Sequence, residues 1–137
     1  MGKAAVVAWI RLLRLSHRIG NALKEHLSGW ELVPAQYDVL AQLGRVEGLA
    51  QHELAARLAV IQGNICQLLH RLERSGLIVR RSEGRANHLY ITDDGLLLLT
   101  AVLPEHQRLM STQFSSLSHA ETWQLLTLLR KLDEGDR

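Results

Sequence analysis

A chain of 137 residues, 47% hydrophobic and 22% charged, is long enough for one folded domain and too apolar for a disordered one. No apolar stretch approaches the ~20 residues that span a bilayer, and the amino terminus lacks the continuous apolar segment of a signal peptide. The net charge is only +2, and the single cysteine, Cys66, allows no internal disulfide, which fits a reducing cytoplasm.

The first half of the chain is predicted to be helical. Leu12, Leu15, Ile19, Leu23 and Leu27 recur every three or four residues, which indicates one long helix over residues 3–28. Pro34 is well placed in the first turn of a second helix, which ends near Gly44. A short helix over QHELAARLA then precedes a fourth helix, predicted from about Gln62 to Arg74 and ended by a glycine.

The fourth helix divides into an apolar face and a polar face. Ile65, Leu68, Leu69 and Leu72 form a stripe at helical spacing. The positions away from this stripe are Gly63, Asn64, Cys66, Gln67, His70, Arg71 and Arg74. We therefore expect this helix to bury its leucines and to present hydrogen-bonding groups.

The second half of the chain is predicted to hold a hairpin and two apolar helices. LIVRR and HLYIT are rich in β-branched residues and are joined by the polar SEGRAN, which indicates a β-hairpin. Thr92 is placed to cap the next helix. Residues 96–103 of that helix are leucine-rich on nearly every face and are predicted to be buried. Ser118 and Glu121 have the spacing of a capping box that opens the last helix.

Positive charge is concentrated in two segments. Residues 1–30 hold five Lys or Arg against one Glu, giving +4, and residues 57–88 hold six Arg against two Glu, again giving +4. Residues 31–56 (one basic, four acidic) and 89–137 (four basic, seven acidic) each carry −3. This distribution favours a surface that binds a polyanion. On charge alone, a solvated face with ion pairs to Glu73 and Glu83 is the alternative.

The order of the central elements fits a helix-turn-helix followed by a wing: a short helix, a tight turn, a polar-faced helix and a hairpin. In such a motif the second helix enters the major groove of DNA. The residues predicted to contact DNA lie on that helix and on the wing. They are Gln62, Gly63, Asn64, Gln67, His70, Arg71, Arg74, Arg80, Arg81 and Arg85.

These residues lie in a segment that resembles the MarR family of winged-helix transcriptional regulators, and the resemblance covers nearly the whole chain. LVPAQYDVLAQL resembles the family's second helix, and QHELAARLAVIQGNICQLLHRLERSGLIVRR resembles its helix-turn-helix and first wing strand. The family's wing signature appears as Glu83, Arg85 and, after five residues, Ile91-Thr92. Three features depart from the family pattern: the acid is usually aspartate, the wing is short, and Ile61 stands where a Ser or Thr usually opens the recognition helix.

The resemblance implies a mostly α (α+β) fold, with a winged helix-turn-helix lobe at 34–92 between dimerisation helices at 3–30 and 93–134, in one domain over 1–137. It implies a homodimer that binds a palindromic double-stranded DNA operator, as a repressor released by a small molecule, with no cofactor. The apolar segment 96–103 is equally compatible with burial against a partner chain and with an intramolecular core.

Members of the family often bind small aromatic anions between the dimerisation helices and the winged-helix body. The resemblance places His17, Arg18, Trp30 and Tyr37 in the segments that would line such a pocket. They offer a cation, a stacking surface and a hydroxyl group. The alternative is that Trp30 and Tyr37 are core residues and that His17 and Arg18 are solvated.

Catalysis and metal binding have little support in the sequence. HELAA lacks the second histidine of the zinc-protease motif, because Ala56 stands in its place. Cys66 and His70 lie four residues apart on one helix, but two ligands do not make a zinc site. We therefore expect neither an enzyme nor a metal protein. Two other classes stay open: a metal- or thiol-responsive regulator acting through Cys66, and a winged-helix module that binds proteins.

Overall fold

The structure is a computed structural model that describes residues 2–59 and 64–135. Within these residues the chain forms six helices and three short strands. The helices are α1 (Gly2–Ser28), α2 (Pro34–Arg45), α3 (Gln51–Arg57), α4 (Ile65–Arg74), α5 (Asp93–Gln113) and α6 (His119–Glu134). The strands are β1 (Leu49–Ala50), β2 (Ile78–Glu83) and β3 (Ala86–Ile91). The predicted mostly helical α+β class is confirmed.

The three strands form one antiparallel sheet in the order β1-β3-β2. β2 and β3 are the predicted hairpin, in which Glu83 pairs with Ala86 across a turn of two residues, Gly84 and Arg85. The sequence does not predict β1, which pairs with β3 only at Leu49 and Ala50. Two residues are too few to show the alternating pattern by which a strand is recognised.

The two adjacent arginines of β2 lie on opposite faces of the hairpin, because side chains alternate along a strand. Arg80 is paired across the ladder with Leu89, which is fully buried, and shares its face with the buried Ile78. Arg81 lies on the other face and is exposed. Arg80 and Arg81 therefore have different surroundings.

The hydrophobic core draws on every helix from α1 to α5 and on the sheet. Its largest fully buried side chains are Leu27, Val39, Leu40, Leu43, Leu54, Leu69, Leu72, Leu89 and Val102. The predicted stripe of α4 belongs to this core: Leu68, Leu69 and Leu72 are buried, and Ile65 packs against them. Burial of this stripe fixes which face of α4 is turned to solvent.

Two of the predicted helix caps are confirmed. The Thr92 hydroxyl oxygen accepts a hydrogen bond from the backbone N–H of Gly95 at 3.1 Å. Ser118 Oγ accepts from the Glu121 N–H at 3.1 Å, and the Glu121 carboxylate accepts from the Ser118 N–H at 2.9 Å. The hydrogen bonds from Ser118 hold the pKa of Glu121 below its ordinary value of 4.5. Each cap satisfies N–H groups that a helix start leaves without a partner.

The start of α4 differs from the prediction. The helix begins at Ile65 rather than near Gln62, and Asn64 is its N-cap. Asn64 Oδ1 accepts from the backbone N–H of Gln67 at 3.1 Å. Ile61, where the family pattern places the cap, lies outside the described residues, as do Gln62 and Gly63. Asparagine is a strong N-cap, so the first turn of α4 has the partner that Ile61 does not offer.

The prediction that the leucine-rich segment 96–103 is buried on nearly every face is wrong for the single chain. Val102 is fully buried, and Leu98 and Leu99 pack against the core. Leu97, in contrast, is 70% exposed, and Leu96 is also exposed. A helix lying on one core buries one stripe of its surface, and the rest of this segment is left uncovered.

By the density of its internal contacts, the chain divides into two compact units, residues 1–104 and 105–137. The first unit contains α1 to α4, the sheet and the first part of α5, and the second contains the rest of α5 and α6. Within the described ranges, no helix is both long and apolar enough to cross a membrane.

Candidate nucleic-acid interface

The solvent-facing side of α4 carries polar and basic groups. Cys66, Gln67, His70, Arg71 and Arg74 are all exposed. The predicted division of this helix into a buried and a presented face is therefore confirmed for its described residues. Such a face offers amide, imidazole and guanidinium groups that can hydrogen-bond to base edges and phosphates.

Arg71, Arg74 and Arg85 of the candidate interface form no ion pair within the described part of the chain. Arg71 and Arg74 lie in the last turn of α4, where the helix dipole favours a positive charge. Arg85 is exposed in the turn of the hairpin. A guanidinium without an acidic partner keeps its full charge for an external anion. The alternative in which ion pairs to Glu73 and Glu83 neutralise the arginines therefore does not hold for these three side chains.

Arg80 has internal partners. Its Nη2 and Nε lie 3.2 Å and 3.4 Å from Glu73 Oε1, and its Nη1 lies 3.4 Å from Gln51 Oε1. The side chains of Arg80 and Glu73 are each 30% exposed. These contacts join β2 to α4 and α3. Arg80 was predicted to contact DNA, and in the structure its guanidinium joins the wing to the helix-turn-helix.

Gln51 extends this network to the exposed face of α4. Its Nε2 donates to Cys66 Sγ at 3.3 Å, while its Oε1 accepts from Arg80. The sequence gives no sign of this role, because the two partners are 15 and 29 residues away. Within the described residues no group of three or more His, Cys, Asp or Glu could hold a metal ion, so the Cys66–His70 pair gains no third ligand there.

Asp38 is a second group with a role that the sequence does not reveal. Its Oδ2 accepts a hydrogen bond from the backbone N–H of Ala59 at 2.7 Å. Asp38 belongs to α2, whereas Ala59 follows α3 on the path to α4. The carboxylate therefore anchors the beginning of the turn of the helix-turn-helix to a helix of the core.

The outer face of the hairpin is organised around Tyr90. The tyrosine hydroxyl donates a hydrogen bond to the Glu83 carboxylate. The Arg81 guanidinium lies 5.0 Å from the centroid of the Tyr90 ring, within the range of a cation–π contact. Glu83 and Arg85, the acid and the arginine of the wing signature, form no ion pair with each other within the described residues, and the Glu83 carboxylate accepts from Tyr90.

The four residues predicted to line a ligand pocket are divided between the surface and the core. His17 and Arg18 are exposed and line a shallow depression of about 630 Å³ on α1. Trp30 packs against the core, and Tyr37 is buried within it, where desolvation raises the pKa of its hydroxyl. The positions of Trp30 and Tyr37 support the alternative that they are core residues.

Comparison with known proteins identifies the family. The model of the MarR family matches residues 31–86, a stretch that contains α2, α3, α4 and β2. An uncharacterized HTH-type transcriptional regulator of Bacillus cereus is 33% identical over 130 residues, which cover 92% of this chain and 88% of that protein. The chain belongs to the MarR family. It is therefore a DNA-binding transcriptional regulator, with α3 and α4 as its helix-turn-helix and β2–β3 as its wing.

Solved structures of the MarR family have the same fold. A MarR family transcriptional regulator from Silicibacter pomeroyi is 26% identical, with a TM-score of 0.85 and coverage of 99% of this chain and 97% of that one. Bordetella bronchiseptica BpsR, whose DNA binding is regulated by 6-hydroxynicotinic acid, is 24% identical, with a TM-score of 0.78 and 90% of each chain covered. The likeness to BpsR concerns the fold.

Proposed function

We propose that the protein is a homodimeric repressor that binds a palindromic operator through α4 and the wing and is released by a small ligand. The observation that carries the proposal is the exposed polar face of α4, flanked by arginines that no acidic residue in the described ranges neutralises. We expect it to act in the cytoplasm, where its DNA would be. A module that binds proteins would present a more apolar surface at this place.

The proposed contacts divide into base reading and phosphate binding. Gln67 lies on the exposed face of α4, and its amide suits a bidentate contact to adenine in the major groove. Asn64 uses its Oδ1 as the helix cap, which leaves its amide N–H groups for DNA. Arg71 and Arg74 are proposed to bind phosphates, and Arg85 to bind phosphate where the wing approaches the minor groove. Gln62, Gly63, His70 and Arg81 complete the proposed surface.

Gln67→Ala tests base reading. We expect a loss of ~1–3 kcal/mol on the operator and little change on unrelated duplex DNA, because an amide contact to a base edge depends on the sequence. The operator is first recovered by selection from random duplexes, and both duplexes are then titrated by fluorescence anisotropy. Gln107→Ala, at an exposed position of α5, is the matched control. An equal loss on both duplexes would show that Gln67 does not read a base.

The dimer is proposed from apolar surface that the single chain leaves exposed. Trp9 of α1 is 59% exposed, Leu97 of α5 is 70% exposed and Leu132 of α6 is 71% exposed. Other exposed apolar side chains on the same three helices are Val6, Val7, Ile10, Leu13, Leu15, Leu96, Leu103, Trp123, Leu128 and Leu129. Each of the two units therefore leaves apolar surface exposed, and such surface marks a place of interaction. A second copy is the commonest partner, and its twofold symmetry would match a palindrome.

The midpoint of thermal unfolding should rise with protein concentration, because a dimer that folds and assembles together is stabilised by mass action. A tenfold increase corresponds to about 1.4 kcal/mol and therefore to a shift of a few degrees. Calorimetry over a hundredfold range of protein concentration measures the midpoint, and analytical ultracentrifugation gives the mass of the protein in solution. Leu97→Glu places a charge on the proposed interface and should remove the dependence. A constant midpoint of the unmodified protein with a monomer mass would contradict the dimer.

The ligand part of the proposal is supported by the example of BpsR, whose DNA binding is regulated by 6-hydroxynicotinic acid. In this chain the depression on α1 is lined by Arg14, His17 and Arg18, together with Leu13 and Asn21. A guanidinium can bind a carboxylate through two parallel hydrogen bonds, and the leucine offers an apolar wall. We therefore propose a small aromatic anion as the ligand and α1 as one wall of its site.

A further inference from the structure

We propose that Tyr90 is a positioning residue of the wing, which holds the Glu83 carboxylate on its hydroxyl and so keeps the Arg85 guanidinium free for DNA. The inference rests on the proposed contact between the wing and DNA.

The position of the Tyr90 ring is set from two sides. On one side the Arg81 guanidinium lies 5.0 Å from the ring centroid. On the other side the ring covers Gly48, since a Cβ built on that glycine would lie 2.8 Å from Tyr90 Oη and 3.0 Å from Cζ. Gly48 therefore has no room for a side chain while the ring lies there. These contacts place the hydroxyl where it meets Glu83.

The Glu83 carboxylate is the acid closest along the chain to the wing arginine. Only Gly84 separates Glu83 from Arg85, and both residues are exposed. A carboxylate without a partner at this place would compete with DNA phosphate for the guanidinium. The hydrogen bond to Glu83, with a smaller effect of burial, holds the pKa of Tyr90 above its ordinary value of 10.0, so the hydroxyl remains a donor at neutral pH. Within the described residues Arg85 forms no ion pair, as this role of Tyr90 requires.

Tyr90→Phe removes the hydroxyl and keeps the ring. The freed Glu83 carboxylate should then pair with Arg85, and an exposed ion pair of this kind should weaken DNA binding about two- to fivefold for each wing. Because the ion pair competes with the phosphate contact of Arg85, the slope of log affinity against log salt should also fall, by up to ~0.9 for each wing. Both quantities are measured by anisotropy titrations of the full-length protein on one operator duplex, over a salt series.

Two backgrounds separate this role from a merely structural one. Tyr90→Phe should change neither affinity nor slope when Glu83→Gln has removed the carboxylate charge, or when Arg85→Ala has removed the guanidinium. An effect of Tyr90→Phe that persists in either background would overturn the role of Tyr90. The same holds if the Tyr90→Phe protein binds DNA like the unmodified protein while Arg85→Ala weakens binding. If Arg85→Ala itself leaves binding unchanged, the proposed wing contact fails, and the inference fails with it.

Discussion

Raising the salt concentration from ~50 to ~200 mM should weaken operator binding by roughly 10³- to 10⁴-fold. The cations that the structure leaves without an acidic partner determine this estimate. Arg71, Arg74 and Arg85 form no ion pair within the described residues, and Arg81 lies against an aromatic ring with its charge intact. In a dimer these side chains give about six to eight phosphate contacts, each adding ~0.9 to the slope of log affinity against log salt.

Single arginine variants test which side chains make the phosphate contacts that cause this salt dependence. Arg71→Ala and Arg85→Ala should each lower the salt slope by ~0.9 per protomer, because each removes one phosphate contact. Arg80→Gln is the matched control, since its guanidinium is bound to Glu73 and Gln51. That variant should keep the slope of the unmodified protein even if its affinity falls. A nearly flat salt response of the unmodified protein would contradict phosphate binding and favour a module that binds proteins.

The elements that carry DNA binding are largely readable from the sequence, because they follow local rules. The stripe of Leu68, Leu69 and Leu72 predicts both α4 and its buried face, and the structure buries these leucines. The caps at Thr92 and Ser118 are equally local, because their partners lie three residues away. The exposed side of α4 follows from the same periodicity.

The roles of the wing residues depend on contacts that no local pattern contains. The alternation of β2 does predict that Arg80 and Arg81 lie on opposite faces, and this could have separated them in the sequence. Which face meets the helices depends on Gln51 and Glu73, which become neighbours of Arg80 only in the folded chain. Likewise, Arg85 is two residues from Glu83 in the sequence, and only the fold brings the Glu83 carboxylate to Tyr90 instead.

The segment 96–103 shows why burial is harder to predict than helicity. Its composition indicates an apolar environment, but composition does not say which chain supplies the cover. The core of one chain covers Val102 and leaves Leu97 exposed. The exposed side is what a second copy would bury, so the incomplete burial agrees with the proposed dimer.

Gly95→Ala should lower the free energy of unfolding by at least about 3 kcal/mol, because the added methyl group has no space. A Cβ on Gly95 would overlap the backbone oxygen of Leu77 and lie 2.8 Å from Ile91 Cγ1. The Leu77 oxygen cannot move freely, since it accepts a hydrogen bond from the Thr92 N–H at 3.1 Å. The Thr92 hydroxyl also donates to the Gly76 oxygen at 2.6 Å. The methyl group would thus separate the start of α5 from the turn between α4 and β2.

Gly76→Ala is the matched control for this prediction. Gly76 lies in the same turn with a φ of +76°, but a Cβ there would meet nothing within 4 Å. Its replacement should therefore cost only the backbone strain, about 1–2 kcal/mol. Urea unfolding of both variants at one protein concentration measures the difference. If Gly95→Ala costs no more than Gly76→Ala, the close approach to Leu77 does not hold α5 in place. If it costs more, as we expect, the Tm should fall by about 10 °C or more. Operator binding should weaken as well, since the displaced turn connects the recognition helix α4 to the wing.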